Sequence, residues 1–202
     1  MKILSKLMLL ACALVLLLQS CKKKKEETAE YSQAIQNIVP DSLIARFQAA
    51  GIEINAGMNP PVINGIYLAS PMNTLYDNSG TAGATISDYK YQFYDQNNGN
   101  LTVKLDYKAM NFSDMASGAG AYLSGANGKF TAFVESAGTS QGISYKVLSV
   151  FSGEATAQGL KGFKHAVYVK EKGSDPNNRL SPVGTLRIYK DGNSLAETTA
   201  TY

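Results

Sequence analysis

Apolar and polar residues alternate with a period of two through most of the chain after residue 60. Leu101, Val103 and Leu105 alternate with polar neighbours, as expected of a strand with one buried face. Pro60 and Pro61 separate this region from a helical pattern before it. Runs of the same kind predict eight strands: Ile63–Ala69, Tyr89–Phe93, Leu101–Tyr107, Phe130–Ser136, Ile143–Ser152, Phe163–Lys170, Gly184–Lys190 and Leu195–Tyr202.

Short links between these runs indicate the topology. Asn97–Asn100 and Asp191-Gly192 have the composition of tight hairpin turns. Consecutive antiparallel strands favour an all-β, eight-stranded, antiparallel up-and-down barrel, because closure removes both exposed edges; a β-sandwich is the alternative. Residues Asn111–Gly128 form one long, glycine-rich link. We predict that it is a mobile loop overhanging one mouth of the barrel.

A short helix is predicted before the strands, over Asp41–Ala50. Asp41 or Ser42 can cap its start, Phe47 belongs to its apolar side, and Gly51 ends it. We expect the helix to plug or flank the barrel, in a domain that spans residues 41–202.

The N-terminus has the pattern of a secretory signal. An apolar run, Ile3–Leu18, follows Lys2 and is too short to cross a bilayer comfortably. A cleaved signal peptide over residues 1–20 is therefore favoured over a retained anchor. The sequence Leu18-Gln19-Ser20-Cys21 resembles the lipobox of bacterial lipoproteins. This resemblance implies that Cys21 is acylated and becomes the N-terminus of the mature chain.

The segment after Cys21 is predicted to be a lipidated, flexible tether over residues 21–40, because the Lys22–Lys25 run and the glutamates after it favour solvation. Lysine rather than aspartate after the cysteine is expected for an outer-membrane lipoprotein. The expected location is the cell envelope, with the domain facing either the periplasm or the outside. The lipid anchor makes the membrane a predicted partner.

Composition excludes several classes of function. Removal of Lys2 and Lys6 with the signal lowers the formal charge from +3 to about +1, which argues against nucleic-acid binding. Cys12 leaves with the signal and Cys21 carries lipid, so the mature domain has no disulfide. A single histidine, His165, disfavours a zinc site or a nucleophile–base pair. We therefore predict a protein that is not an enzyme and has no metal or cofactor.

Three residues resemble the lipocalin-like, or calycin, pattern. Gly65 and Tyr67 stand at the head of the first predicted strand and Arg187 lies in the penultimate one. The resemblance implies that Arg187 packs across the Tyr67 ring and closes one end of the barrel. The chain also resembles bacterial lipoproteins that share its opening, Gly51-Ile52 followed by Asn59–Tyr67, and its Arg187–Gly192 segment. This resemblance implies a location and a fold rather than a reaction.

An eight-stranded barrel can hold one small ligand or be filled by its own side chains, so two functions stay open. In the first, the barrel binds a small apolar or sugar-like ligand. Candidate lining residues are Tyr89, Tyr91, Phe93, Tyr107 and His165. In the second, these residues fill the interior, and the protein is a structural or interaction subunit of an envelope complex with an envelope protein as partner.

Overall fold

The computed structural model describes residues 31–80, 82–112, 114–140 and 142–202. The predicted signal peptide, the lipobox and Cys21 lie outside these residues. Two short helices precede ten strands in the described part. The helices are α1 (Gln33–Ile38) and α2 (Asp41–Ala49). The strands are β1 (Gly65–Ala69), β2 (Met72–Asp77), β3 (Tyr89–Asn97), β4 (Thr102–Ala109), β5 (Met115–Ala126), β6 (Lys129–Ser140), β7 (Ile143–Ala155), β8 (Gly159–Lys172), β9 (Leu186–Asp191) and β10 (Leu195–Thr198).

All ten strands belong to one antiparallel sheet, and eight of them close into a ring. The ring runs β1-β3-β4-β5-β6-β7-β8-β10 and closes where β10 pairs with β1. β8 pairs with β10 through its residues 159–161 and with β9 through its residues 164–168. β2 pairs with β9. The predicted all-β barrel is therefore confirmed.

The structure corrects the strand predictions at three places. β2, Met72–Asp77, lies outside the eight predicted strands and pairs with β9. Asn111–Gly128 is largely the twelve-residue strand β5, paired with β4 and β6, rather than a loop. Asp191-Gly192 does not form a hairpin, because β9 and β10 both pair with β8. The Asp191 carboxylate accepts bonds from the backbone N–H groups of Ser70, Asn193 and Leu195, at 2.9, 3.0 and 3.1 Å. It stabilises a kink between two strands that run in the same direction.

The helical region is longer than predicted. α2 is found over Asp41–Ala49, but α1 lies within residues 21–40, where a tether was expected. Ile35 and Val39 are buried, so this part of the predicted tether belongs to the folded domain. Among the described residues, neither helix is long and apolar enough to cross a membrane.

Two hydrophobic clusters hold the fold together. One fills the barrel interior and includes Tyr91, Phe93, Phe130, Phe151 and Phe163. The other packs both helices against the outer face of β6–β9, with its members Ile35, Val39, Leu43, Ile44, Phe47, Ile52, Phe133, Leu148, Val150, Ala166, Leu186 and Ile188. The helices therefore flank the barrel wall and leave its interior free of helix.

The chain between α2 and β1 packs against the outer face of β5–β7 at one end of the barrel and contributes Ile63 to the interior cluster. The Asn55 side-chain amide donates to the Phe130 carbonyl at 2.9 Å and to Ser152 Oγ at 3.0 Å, and its backbone N–H donates to Thr131 Oγ1 at 2.8 Å. Ser124 donates to the Asn55 carbonyl at 2.6 Å. We call this the closed end; the opposite end, where the β4–β5 turn and the β8–β9 loop lie, is the open end.

Candidate functional site

A cavity of about 600 Å³ occupies the open end of the barrel. Six strands, β4 to β9, contribute to its wall, and the β8–β9 loop contributes Leu180 and Ser181. The lining residues are Tyr107, Asp114, Met115, Ala116, Ser117, Ala119, Ser136, Ala137, Tyr145, Val147, Ser149, Val167, Val169, Lys172, Leu180, Ser181 and Arg187. This volume lies within the range of small-molecule sites.

The cavity exists because side chains along the inner wall change in size. Towards the closed end, inward positions carry large residues such as Phe130 on β6 and Phe151 on β7. Further along the same strands, towards the open end, the wall residues are Ser136 and Val147. The half of the barrel next to the closed end, called the lower half, is therefore filled by side chains. The half next to the open end is not.

An aromatic cluster containing His165 packs in the barrel interior. The Tyr91 hydroxyl lies 3.2 Å from His165 Nδ1, and the Phe151 ring stacks on the imidazole at 4.3 Å between centroids. The Tyr107 ring lies 5.5 Å from the imidazole and also lines the cavity. This cluster therefore adjoins the ligand-sized space.

His165 is neutral in the folded protein. The residue is 1% exposed, and burial lowers its pKa to about 3. Its Nε2 has no hydrogen-bond partner within the described part of the chain. An unpaired buried ring nitrogen is costly, so this atom is a point of local instability.

Both cations among the described lining residues are paired. Arg187 Nε donates to Asp77 Oδ2 at 2.7 Å, and its Nη2 donates to Ser79 Oγ at 3.2 Å. Lys172 forms an ion pair with Asp175 at 3.1 Å. Backbone N–H groups of residues 179 and 180 also donate to Asp175 and, with Lys172, lower its pKa to about 2. Both positive charges are therefore compensated by carboxylates that do not line the cavity, Asp77 and Asp175.

Asp114 is the one lining carboxylate, and it stands where the cavity meets solvent. The Tyr89 hydroxyl donates to its Oδ2 at 3.1 Å. Among the described residues, no lysine, arginine or histidine lies within ion-pair distance of it. Desolvation by the surrounding wall raises the pKa of Asp114. Its negative charge adds to the effect of burial in raising the pKa of Tyr89, Tyr91 and Tyr107.

The predicted lining residues all point into the barrel, at different depths. Tyr107 lines the cavity, whereas Tyr89, Tyr91, Phe93 and His165 belong to the interior packing and do not line it. Two further lining residues, Asp114 and Tyr145, were not predicted from the sequence. Asp114 lies in the segment predicted to be a loop, and Tyr145 falls at an inward position of a predicted strand, so the period of two could have identified it.

The predicted contact between Tyr67 and Arg187 is wrong. The Tyr67 hydroxyl donates to the Ile63 carbonyl at 3.1 Å and its ring packs on Phe93, in the part of the barrel next to the closed end. Arg187 lines the cavity at the open end and pairs with Asp77 instead. Gly65 has a local role, since a Cβ there would lie 2.9 Å from the Tyr67 hydroxyl oxygen. The aromatic ring thus folds back over the glycine without the arginine.

The residues that the structure describes contain no group of three or more His, Cys, Asp or Glu side chains able to hold a metal ion. Comparison of the chain with family models, with curated proteins and with solved structures finds no match. The candidate site therefore rests on its geometry alone.

Proposed function

We propose that the protein is a membrane-anchored lipoprotein of the cell envelope whose β-barrel binds a small apolar or sugar-like ligand. The observation that carries the proposal is the cavity of about 600 Å³ at the open end. A barrel interior filled throughout would have favoured an interaction subunit instead.

The wall chemistry supports both ligand types. Val147, Val167, Val169 and Leu180 offer apolar contact, while four serines and two tyrosines offer hydroxyl groups. The rim of the open end adds exposed apolar side chains, including Phe112, which is 65% exposed. An apolar or amphipathic molecule could therefore enter past this rim.

Native mass spectrometry of the protein purified from its own envelope tests the proposal. A co-purifying small molecule, released on unfolding, is the expected result. A barrel that is empty in every preparation and carries a stoichiometric protein partner would support the alternative, a non-enzymatic interaction subunit. The filled lower half of the barrel is the observation that favours this alternative.

A matched pair of variants links any ligand to the cavity. Val167→Phe places a larger side chain at a lining position, and the ligand should be lost or strongly reduced. Val183→Phe makes the same change in the exposed β8–β9 loop, outside the cavity lining, and should retain it. Equal retention by both variants would place the ligand elsewhere on the protein.

The anchor is tested separately at Cys21. Cys21→Ala should leave an unprocessed or soluble species, because the acylated thiol is the proposed attachment point. The idea of an anchor is wrong if this variant fractionates with membranes and has the same mature mass as the natural protein.

A further inference from the structure

The charges around the cavity do not balance. Arg187 and Lys172 each have a carboxylate partner, Asp77 and Asp175, within 3.1 Å. The Asp114 carboxylate has a tyrosine hydroxyl and a backbone N–H as its polar partners in the described part of the chain. Counted together with Asp77 and Asp175, which do not line the cavity, the described groups carry one excess negative charge, and Asp114 at the mouth is the carboxylate without a cation.

One tyrosine contacts this carboxylate, and a second lies next to that tyrosine. The Tyr89 hydroxyl donates to Asp114 Oδ2 at 3.1 Å, and the Tyr107 ring centroid lies 6.4 Å from the Tyr89 ring centroid. Burial keeps these phenols protonated, so they present neutral aromatic rings. Tyr107 and Tyr145 reach the cavity wall on β4 and β7.

Carboxylate and aromatic faces together suit an organic cation. The face of an aromatic ring attracts an ammonium group, and the attraction grows when the group is shielded from water. An anion would find both nearby cations already neutralised and would face the charge of Asp114. A neutral ligand would leave that charge without a counter-ion.

We propose that the mouth of the cavity binds the ammonium group of an amphipathic amine or quaternary ammonium compound, with Asp114 as counter-ion and the rings of Tyr107 and Tyr145 as aromatic wall. The apolar part of the ligand then lies deeper, against Val147 and Val167. This inference rests on the proposed ligand-binding function, because it names the ligand class of the same cavity.

Three probes of similar length and different charge test the inference by calorimetric titration. They are hexyltrimethylammonium, heptan-1-ol and heptanoate, added to the full chain in phospholipid nanodiscs, with empty nanodiscs as the blank. The cation should bind at least about tenfold more tightly than the alcohol, and the carboxylate should bind most weakly. This ranking needs no variant and so does not depend on how any substitution folds.

Two variants assign the preference to the named residues. Asp114→Asn keeps the shape and the acceptor for Tyr89 but removes the charge, and should weaken cation binding about tenfold while leaving the alcohol unchanged. Tyr107→Leu removes one ring and should weaken cation binding about fivefold.

Asp95→Asn is the matched control. This carboxylate pairs with Lys104 on the outside of the barrel, away from the cavity lining. Its backbone φ of 53° is one that asparagine adopts readily. The control makes the same change in net charge as Asp114→Asn and should leave the cation affinity unchanged. An equal loss in both variants would overturn the role of Asp114.

The outcomes separate the inference from the proposed function. If the cation and the alcohol bind equally and Asp114→Asn changes nothing, the cavity binds ligands but the inference is wrong. Tightest binding of heptanoate would also overturn it and would assign the site to Arg187. If none of the three probes binds, both the inference and the ligand-binding function fail.

Discussion

The buried histidine makes the stability of the domain depend on pH in a window that few other groups affect. His165 is the single histidine of the chain, and its pKa falls to about 3 in the folded protein. In the unfolded chain the pKa of a histidine is about 6.5. Between these values the unfolded state binds a proton that the folded state does not, so stability rises with pH and falls on acidification.

The magnitude follows from proton linkage. For a group with a pKa near 6.5 when unfolded and near 3 when folded, lowering the pH from 7 to 5 costs roughly 2 kcal/mol of unfolding free energy. Carboxylates whose pKa is ordinary or lowered in the folded protein contribute little above pH 5, because their unfolded pKa values lie near 4. The raised pKa of Asp114 acts in the opposite direction, since the folded state then binds the proton more readily. The loss of stability should therefore come from His165.

The double variant His165→Phe with Tyr91→Phe removes the effect without creating a new unpaired group. His165→Phe alone would leave the Tyr91 hydroxyl without its partner at 3.2 Å. Removing both partners abolishes the pH dependence and also removes the unpaired Nε2, which should stabilise the barrel by about 1–3 kcal/mol at pH 7. The single variant should lose the pH dependence but gain little stability.

Urea unfolding at pH 7, 6 and 5, followed by circular dichroism, measures these free energies by linear extrapolation. The reasoning is refuted if the natural protein is equally stable at pH 7 and pH 5. It is also refuted if the double variant keeps the slope, since another group would then carry it.

Two further predictions concern the ends of the barrel. Arg187→Ala should destabilise the domain by about 1–3 kcal/mol, because it leaves the buried carboxylate of Asp77 without its cation; an unchanged urea midpoint would contradict this. Asn55→Ala removes side-chain bonds to the Phe130 carbonyl and Ser152 Oγ and should cost about 1–3 kcal/mol, with faster proteolysis near residues 52–63. Asn78→Ala, at the open end, is a control for proteolysis and should leave cleavage in that segment unchanged.

Strands with strict alternation were predictable, whereas β2 and β5 were not predicted. The β3–β4 hairpin is found where Asn97–Asn100 predicts it. β5 was missed because its first half is rich in glycine and alanine, which disfavour strands. Its neighbours β4 and β6 supply pairing on both sides, and this pairing overrides the weak propensity.

The kink at Asp191 shows why a turn signal can be real and still mislead. Asp-Gly composition predicts a local change of direction, but not whether the chain reverses. Here both β9 and β10 pair antiparallel with β8, so the chain continues in the same direction after Asp191. The Tyr67–Arg187 contact failed for a related reason, since the relative position of two distant strands depends on the register of the whole ring.

The candidate site depends on a size gradient that has meaning only once the register is known. Small residues such as Ser136 and Ala119 look like weak strand positions when each run is examined alone. In the ring Ser136 pairs with Val147, and Val147 pairs with Val169. Together with Ala119 these residues line the space at the open end, whereas Phe130 and Phe151 fill the interior nearer the closed end. The small residues that leave this space open were therefore the least conspicuous ones in the sequence. Most of the aromatic residues proposed as ligand contacts fill the interior next to the cavity instead of lining it.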